Sequence, residues 1–155
     1  MLSLRYDALD DKLWLGSYPQ QPEDVLHLKS LGITAVLSVQ SNADLDERAI
    51  NWDLFWRFYV RSGMESVRHP ITDFDDADLL RHLSGAVDAL QTLFSNGHRV
   101  YLHCTAGLNR SPTVAIGWYH VHGGMPMDEA IKFVTARHSC APNTEVLARW
   151  TPDKS

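Results

Sequence analysis

The chain is poor in cysteine: Cys104 and Cys140 are the only two. That is too few for a disulfide framework, and neither sits in a CxxC or clustered Cys/His spacing, so no metal is expected. Cations are also scarce. Lys and Arg number 14 against 19 Asp and Glu, a net charge of -5 with no run of one basic type. Nucleic acids and anionic membranes are met by clustered cations, so neither is an expected partner. No apolar run approaches a membrane span, and the amino terminus, Met1-Leu2-Ser3-Leu4-Arg5-Tyr6-Asp7, turns acidic at once, unlike a signal or transit peptide. A soluble, intracellular and most simply cytoplasmic protein is expected. Repeats and low-complexity tracts are missing too. What remains is ordinary: 155 residues, 45% hydrophobic and 21% charged, suit one domain over 1–155 with a core that needs no staple, and a monomer.

Leu13-Trp14-Leu15 before Gly16 reads as a short strand, and Pro22-Glu23-Asp24 opens a helix through Leu28 that Gly32 ends. Ile33 to Val39 is apolar and β-branched enough for a buried strand, followed by a polar break at Ser41-Asn42-Ala43-Asp44. From about Leu45 to Tyr59 the spacing predicts one helix with Trp52, Phe55, Trp56 and Tyr59 on a core-facing stripe. A short strand near Ser66-Val67 leads to Pro70 and the acidic stretch Asp73 to Asp78. Leu79, Leu80, Leu83, Val87, Leu90 and Phe94 mark an amphipathic helix closing at Asn96-Gly97. Arg99 to Leu102 reads as a strand, and a helix follows from about Arg110 to Val121. Gly123-Gly124 breaks it, Pro126 starts another through Ala136, and Pro142 starts a last one reaching Trp150. Strands alternating with helices predict an α/β fold with a mostly parallel central sheet flanked by helices. Ligands in such sheets gather at the strands' carboxyl ends, which is where Cys104 falls.

Between that strand and that helix runs His103-Cys104-Thr105-Ala106-Gly107-Leu108-Asn109-Arg110-Ser111-Pro112. Successive backbone N–H groups from Thr105 to Arg110, backed by a helix amino terminus, can enclose a phosphate dianion or a thiolate. In such surroundings a cysteine pKa can fall to roughly 3.5–7.5, which makes the thiol a nucleophile at neutral pH. Arg110 can meet two phosphate oxygens with its planar fork, which a lysine would do poorly. Gly107 lets the backbone turn inward, Ser111 can donate to the sulfur as it leaves a phosphocysteine, and His103 would order the loop from behind. A leaving alkoxide needs a general acid. Asp73 is the first candidate, with Asp75, Asp76 and Asp78 as rivals in the same stretch, and the same carboxylate could then activate water.

The run His103-Cys-x-x-Gly-x-x-Arg-Ser111 resembles the signature of the protein tyrosine phosphatase superfamily, dual-specificity branch. Over most of the chain the likeness is to plant glucan (starch) phosphatases and more distantly laforin. It is carried by Gly16 to Asp24, Pro70-Ile71-Thr72-Asp73-Phe74-Asp75, Cys104-Thr-Ala-Gly-Leu and Ser139-Cys140-Ala141-Pro142-Asn143. The resemblance implies a phosphatase-type α/β domain, no cofactor, Asp73 as the acid and Phe74 against the sugar of a phosphorylated α-glucan. With 155 residues, no separate carbohydrate-binding module of the kind several family members carry is expected. Asn109 replaces the last Gly of the plant pattern, and Ser111 stands where the plant enzymes often have Ala. Both fit a general dual-specificity phosphatase, so a phosphoprotein carrying phospho-Tyr, Ser or Thr is the alternative substrate, and a silent phosphoryl-binding module the third possibility. Thr105, Ala106, Leu108 and Asn109 are neutral, which disfavours phosphoinositides. Of the remaining residues, Cys140 reads as a small buried side chain, Asp78 as a helix start, and His120 and His122 face different directions and are not read as metal ligands.

Overall fold

The computed structural model describes residues 4–152, so Met1 to Ser3 of the amino-terminal reading lie outside them. Its strands are β1 (Tyr6–Ala8), β2 (Leu13–Gly16), β3 (Ala35–Ser38), β4 (Glu65–Arg68) and β5 (Val100–His103). Its helices are α1 (Pro22–Ser30), α2 (Asn42–Glu47), α3 (Trp52–Arg61), α4 (Asp76–Ser95), α5 (Arg110–Val121), α6 (Met127–Arg137) and α7 (Thr144–Arg149). The strands form one sheet in the order β1-β2-β5-β3-β4, parallel throughout except for the antiparallel edge strand β1. A strand of only three residues, Tyr6-Asp7-Ala8, has too little alternation to be read from sequence.

Side chains alternate across a strand, and here both faces are covered. Val100 and Leu102 of β5, Leu13 and Leu15 of β2 and Ala35 and Leu37 of β3 point into the larger core, against α4, α5, α6 and α7. Tyr101, Trp14 and Val36, one residue out of phase, point into a second core with Val25 and Leu28 of α1 and Phe55 and Tyr59 of α3. In α4 the residues Leu79, Leu83, Ala86, Val87, Leu90 and Leu93 recur at helical spacing and are buried, so that face docks on the sheet. Each fully buried leucine of this kind contributes about 1.5–3 kcal/mol of transfer free energy. Helix α5 is buried from Arg110 through Tyr119, as expected of a helix wedged between the sheet, α4 and α6. Because β5 lies between β2 and β3, its carboxyl end opens at the middle of the sheet, and the loop that begins at Cys104 starts there.

Three expectations are corrected. The polar break at Ser41 is a helix start: the Ser41 hydroxyl accepts from Asp44 N at 3.3 Å and Asp44 Oδ2 accepts from Ser41 N at 2.8 Å, a reciprocal capping box. The single helix from Leu45 to Tyr59 is therefore two helices, parted at Ala49, which takes a left-handed φ of 52°. Asn51 then caps α3. The aromatic stripe of α3 is only partly core, since Phe55 and Tyr59 are buried while Trp56 is about half exposed (49%) and Trp52 packs at the margin with Arg68 over its ring. A stripe of four aromatics is wider than the arc α3 buries. Smaller shifts are at helix starts: Pro126 and Asn143 flank α6 and α7 as caps, and α4 begins at Asp76 with Asp75 as its cap. His120 Nδ1 meets the Met125 carbonyl and His122 stacks on Trp118.

Candidate active site

Strand β5 delivers Cys104 and helix α5 begins at Arg110, so the sequence Thr105 to Asn109 must turn within five residues. Gly107 makes that turn possible. Its φ is +75°, and a Cβ there would sit 2.6 Å from the Gly16 carbonyl carbon. Gly16 is itself closed in, because a Cβ on it would overlap the Arg5 carbonyl and lie 2.5 Å from the Tyr101 hydroxyl. The loop therefore rests directly on the end of β2, and Tyr18 N donates to the Thr105 carbonyl at 3.0 Å beside it.

Cys104 is buried, and its sulfur lies 3.2 Å from the Ser111 hydroxyl, with Ser111 fully enclosed in the first turn of α5. His103 is also buried. Desolvation pushes its pKa down to about 4, with the Arg110 charge adding to the effect and the Cys104 carbonyl opposing it. The ring is thus neutral at physiological pH, and its Nδ1–H donates to the Cys104 carbonyl at 2.8 Å.

Arg110 is held between two carboxylates. Its Nη1 donates to Asp44 Oδ2 at 2.6 Å and to the Ile71 carbonyl at 2.8 Å, and Nη2 reaches Thr105 Oγ1 at 3.4 Å. Its Nε lies 3.3 Å from Asp73 Oδ1 but outside hydrogen-bond alignment, a buried donor with charge nearby and no bond made. Burial works against the charge of Asp44, yet the Arg110 hydrogen bond, the Ser41 N–H and the Arg110 charge outweigh it and hold the carboxyl below its ordinary range. Gln40 completes this frame, donating to Thr105 Oγ1 at 3.0 Å. Asp44 and Gln40 were not singled out in the sequence. The Ser41-x-x-Asp44 capping box was the visible signal for Asp44, although its second bond, to a residue 66 positions away, has no local trace.

The acidic stretch sorts itself by contacts. Asp75 caps α4 by accepting from Asp78 N at 3.0 Å, Asp76 accepts from the Asn143 amide at 2.8 Å, and Asp78 accepts from Thr72 N at 2.8 Å. Those three carboxylates serve the local fold. Asp73 instead lines a cavity of about 160 Å³ together with Phe74, Cys104, Ala106, Leu108, Asn109 and Arg110. Phe74 has a left-handed φ of 57° and is 97% exposed, so it stands in solvent at the rim, and half-exposed Leu108 lines the same cavity.

The segment Ser139 to Asn143 clasps the loop from the other side. Ala141 N donates to the Leu108 carbonyl at 2.7 Å, the Asn109 amide donates to the Ala141 carbonyl at 2.9 Å, and Asn143 N donates to Thr113 Oγ1 at 2.9 Å. Asn109 is thereby a structural tie as well as a loop residue. Cys140 is half-buried there, its thiol pushed up by burial and by the Asp7 charge. A second, larger cavity of about 670 Å³ opens beside the loop, lined by Thr105, Ala106 and Leu108 together with Arg5, Tyr6 and Tyr18. Among the described residues no group of three or more metal-ligating side chains comes together, and no helix is long and apolar enough to cross a membrane.

The sequence and the fold both have known counterparts. Residues 13–150 match the family model for the dual specificity phosphatase catalytic domain. The chain is 32% identical to phosphoglucan phosphatase LSF1, chloroplastic, of Arabidopsis thaliana over 152 residues, 98% of this chain and 26% of the relative. It is 31% identical to mouse laforin over 146 residues, 87% of this chain and 44% of laforin. The chain thus spans between a quarter and a half of the length of these relatives. Among solved structures, Tk-PTP in the active form superposes with a TM-score of 0.73 at 22% identity, covering 93% of this chain and 94% of that one.

Proposed function

The chain belongs to the dual specificity phosphatase family, and from that premise we propose that it hydrolyses phosphate monoesters through a phosphocysteine on Cys104, with phosphorylated α-glucan as its substrate. One observation carries the mechanism: Asp73 lines a single small cavity with Cys104 and Arg110 although it comes from a separate segment of the chain. The phosphoryl group enters the loop and meets the N–H groups of Thr105 to Arg110 and the free Nε of Arg110. The Cys104 sulfur attacks phosphorus, and an S–P bond forms as the P–O bond to the sugar breaks. Asp73 in its acid form gives its proton to the departing oxygen. Water then attacks the phosphocysteine and loses a proton to the Asp73 carboxylate. The S–P bond breaks, the electron pair returns to sulfur, and the Ser111 hydroxyl 3.2 Å away donates to it. Inorganic phosphate leaves.

Two features support a glucan. Phe74 presents a whole aromatic face to solvent at the cavity rim, in a backbone conformation that costs about 1 kcal/mol or more and is kept where function uses it. The names of two relatives, LSF1 and the amyloplastic DSP4 of Castanea sativa, are those of phosphoglucan phosphatases. Phosphate release from solubilised phosphorylated starch or glycogen, set beside a phosphopeptide panel, tests the assignment. Faster release from glucan is expected. Good turnover of an aryl phosphate and of phosphopeptides, with none from glucan, would overturn the substrate and leave the chemistry standing.

A further inference from the structure

One buried side chain at the loop has no part in that mechanism. His138 follows the end of α6 and is 6% exposed, and both of its ring nitrogens face acceptors. Nε2 lies 2.7 Å from the Gly107 carbonyl and Nδ1 lies 2.7 Å from Asp7 Oδ2 on β1. A neutral imidazole has one N–H, so one of those short contacts would set lone pair against lone pair. Only the imidazolium donates to both. We infer that His138 is a positioning residue for the phosphate-binding loop, acting as a doubly protonated bridge that fastens the Gly107 carbonyl to the edge strand β1 through Asp7.

The bridge matters because of where it attaches. In a planar trans peptide the Gly107 C=O and the Leu108 N–H point in opposite directions, so holding the carbonyl on His138 aims that N–H away from the ring. Gly107 itself, at φ +75°, has no side chain to fix it. The ring also brings a positive charge against the outside of a loop that is to hold an anion. The surroundings suit a cation poorly except at one point. Arg5 and Arg48 border the same cavity, as do Tyr6 and Tyr18, and Arg137 is turned onto Phe133, which leaves Asp7 as the acidic group on the ring. Cys140, two residues along, registers the same carboxylate as an upward push on its thiol. The inference rests on the loop's role as a phosphate cradle, and its first test does not.

Nitrogen NMR of histidine-labelled protein reads the ring directly. At about pH 6 both His138 nitrogens are expected to carry protons, and a neutral tautomer at that pH would overturn the inference whether or not the protein turns over any substrate. The second test is kinetic, on an activated aryl phosphate that needs no general acid. His138→Leu is expected to lower kcat/KM about tenfold at pH 6, the scale of one charge-assisted hydrogen bond. His138→Arg, cationic throughout, should restore most of that loss. A pure packing role gives a deficit that arginine does not restore, and that result, or no deficit, contradicts the proposal. Should the Leu variant fold poorly, Asp7→Asn on the half-exposed partner should lower kcat/KM several-fold in the same assay, and unchanged activity there counts against the bridge equally.

Discussion

The loop from Cys104 to Arg110 and the segment from Thr72 to Asp75 face one cavity, yet they are secured in different ways. The first is fixed from every side. Gly107 lies on Gly16, His103 holds the Cys104 carbonyl, Ala141 and Asn109 clasp it, and Asp44 locks Arg110. The second is held at its ends, where Asp78 accepts from Thr72 N and Asp75 accepts from Asp78 N, while between them Asp73 only approaches Arg110 and Phe74 stands almost wholly in water. The difference follows from the work each would do. A phosphoryl group has a constant shape, so its cradle gains from being preorganised. The leaving group varies, and the acid must reach its oxygen, so a loosely held segment suits it.

Substitutions can break that contrast. Arg110→Lys removes the planar fork and leaves Asp44 with a point charge at best, so kcat/KM should fall by about 10²–10³ on every substrate, measured by phosphate release. An effect confined to glucan would show that Arg110 serves recognition of the polymer instead. Asp73→Asn should act selectively, slowing alkyl phosphates by about 10²-fold and activated aryl esters much less. Equal slowing of both would move the acid's role to another carboxylate. Gly107→Ala places a Cβ 2.6 Å from Gly16 backbone at positive φ, and should cost about 2 kcal/mol or more by denaturant unfolding. An alanine at Phe74 should leave stability within about 0.5 kcal/mol, since the ring is 97% exposed, while lowering glucan activity.

Acid also separates the two regions. The pKa of His103 is depressed on folding, from an ordinary 6.5 to about 4, so its neutral burial costs nothing above the unfolded value. As pH falls from about 6.5 toward 4 the unfolded chain takes the proton first, and stability should drop by about 3 kcal/mol across that window. Asp44, also depressed, is stabilising above its unfolded value and is lost at lower pH still. No titratable side chain between Thr72 and Asp75 is buried.

Much of this was legible in the chain. A glycine-containing loop between an apolar strand and a helix start can be recognised by type and spacing, and Cys104, Arg110, Ser111 and His103 are where that pattern puts them. The parallel sheet followed from alternating elements, because buried central strands such as Val100-Tyr101-Leu102 read as continuous apolar runs. What escaped was non-local. Asp44 reads as part of a polar break until its partner 66 residues on is in place, and nothing around His138 marks it as a bridge between residues 31 and 131 positions away. The split between α2 and α3 was hidden because Leu45, seven residues before Trp52, continues the helical spacing of the aromatic stripe backward past the break at Ala49, although the stripe itself lies wholly in α3.

The central claim is covalent, and it can be caught in the act. The Asp73→Asn protein, which should release an activated phenol readily but hydrolyse its intermediate slowly, is mixed with an aryl phosphate, quenched in denaturant and digested. The account expects the phosphoryl group on the peptide that contains Cys104, and none when Cys104 is also changed to Ser. A burst of phenol with the phosphoryl group on another residue, or on none, would contradict it.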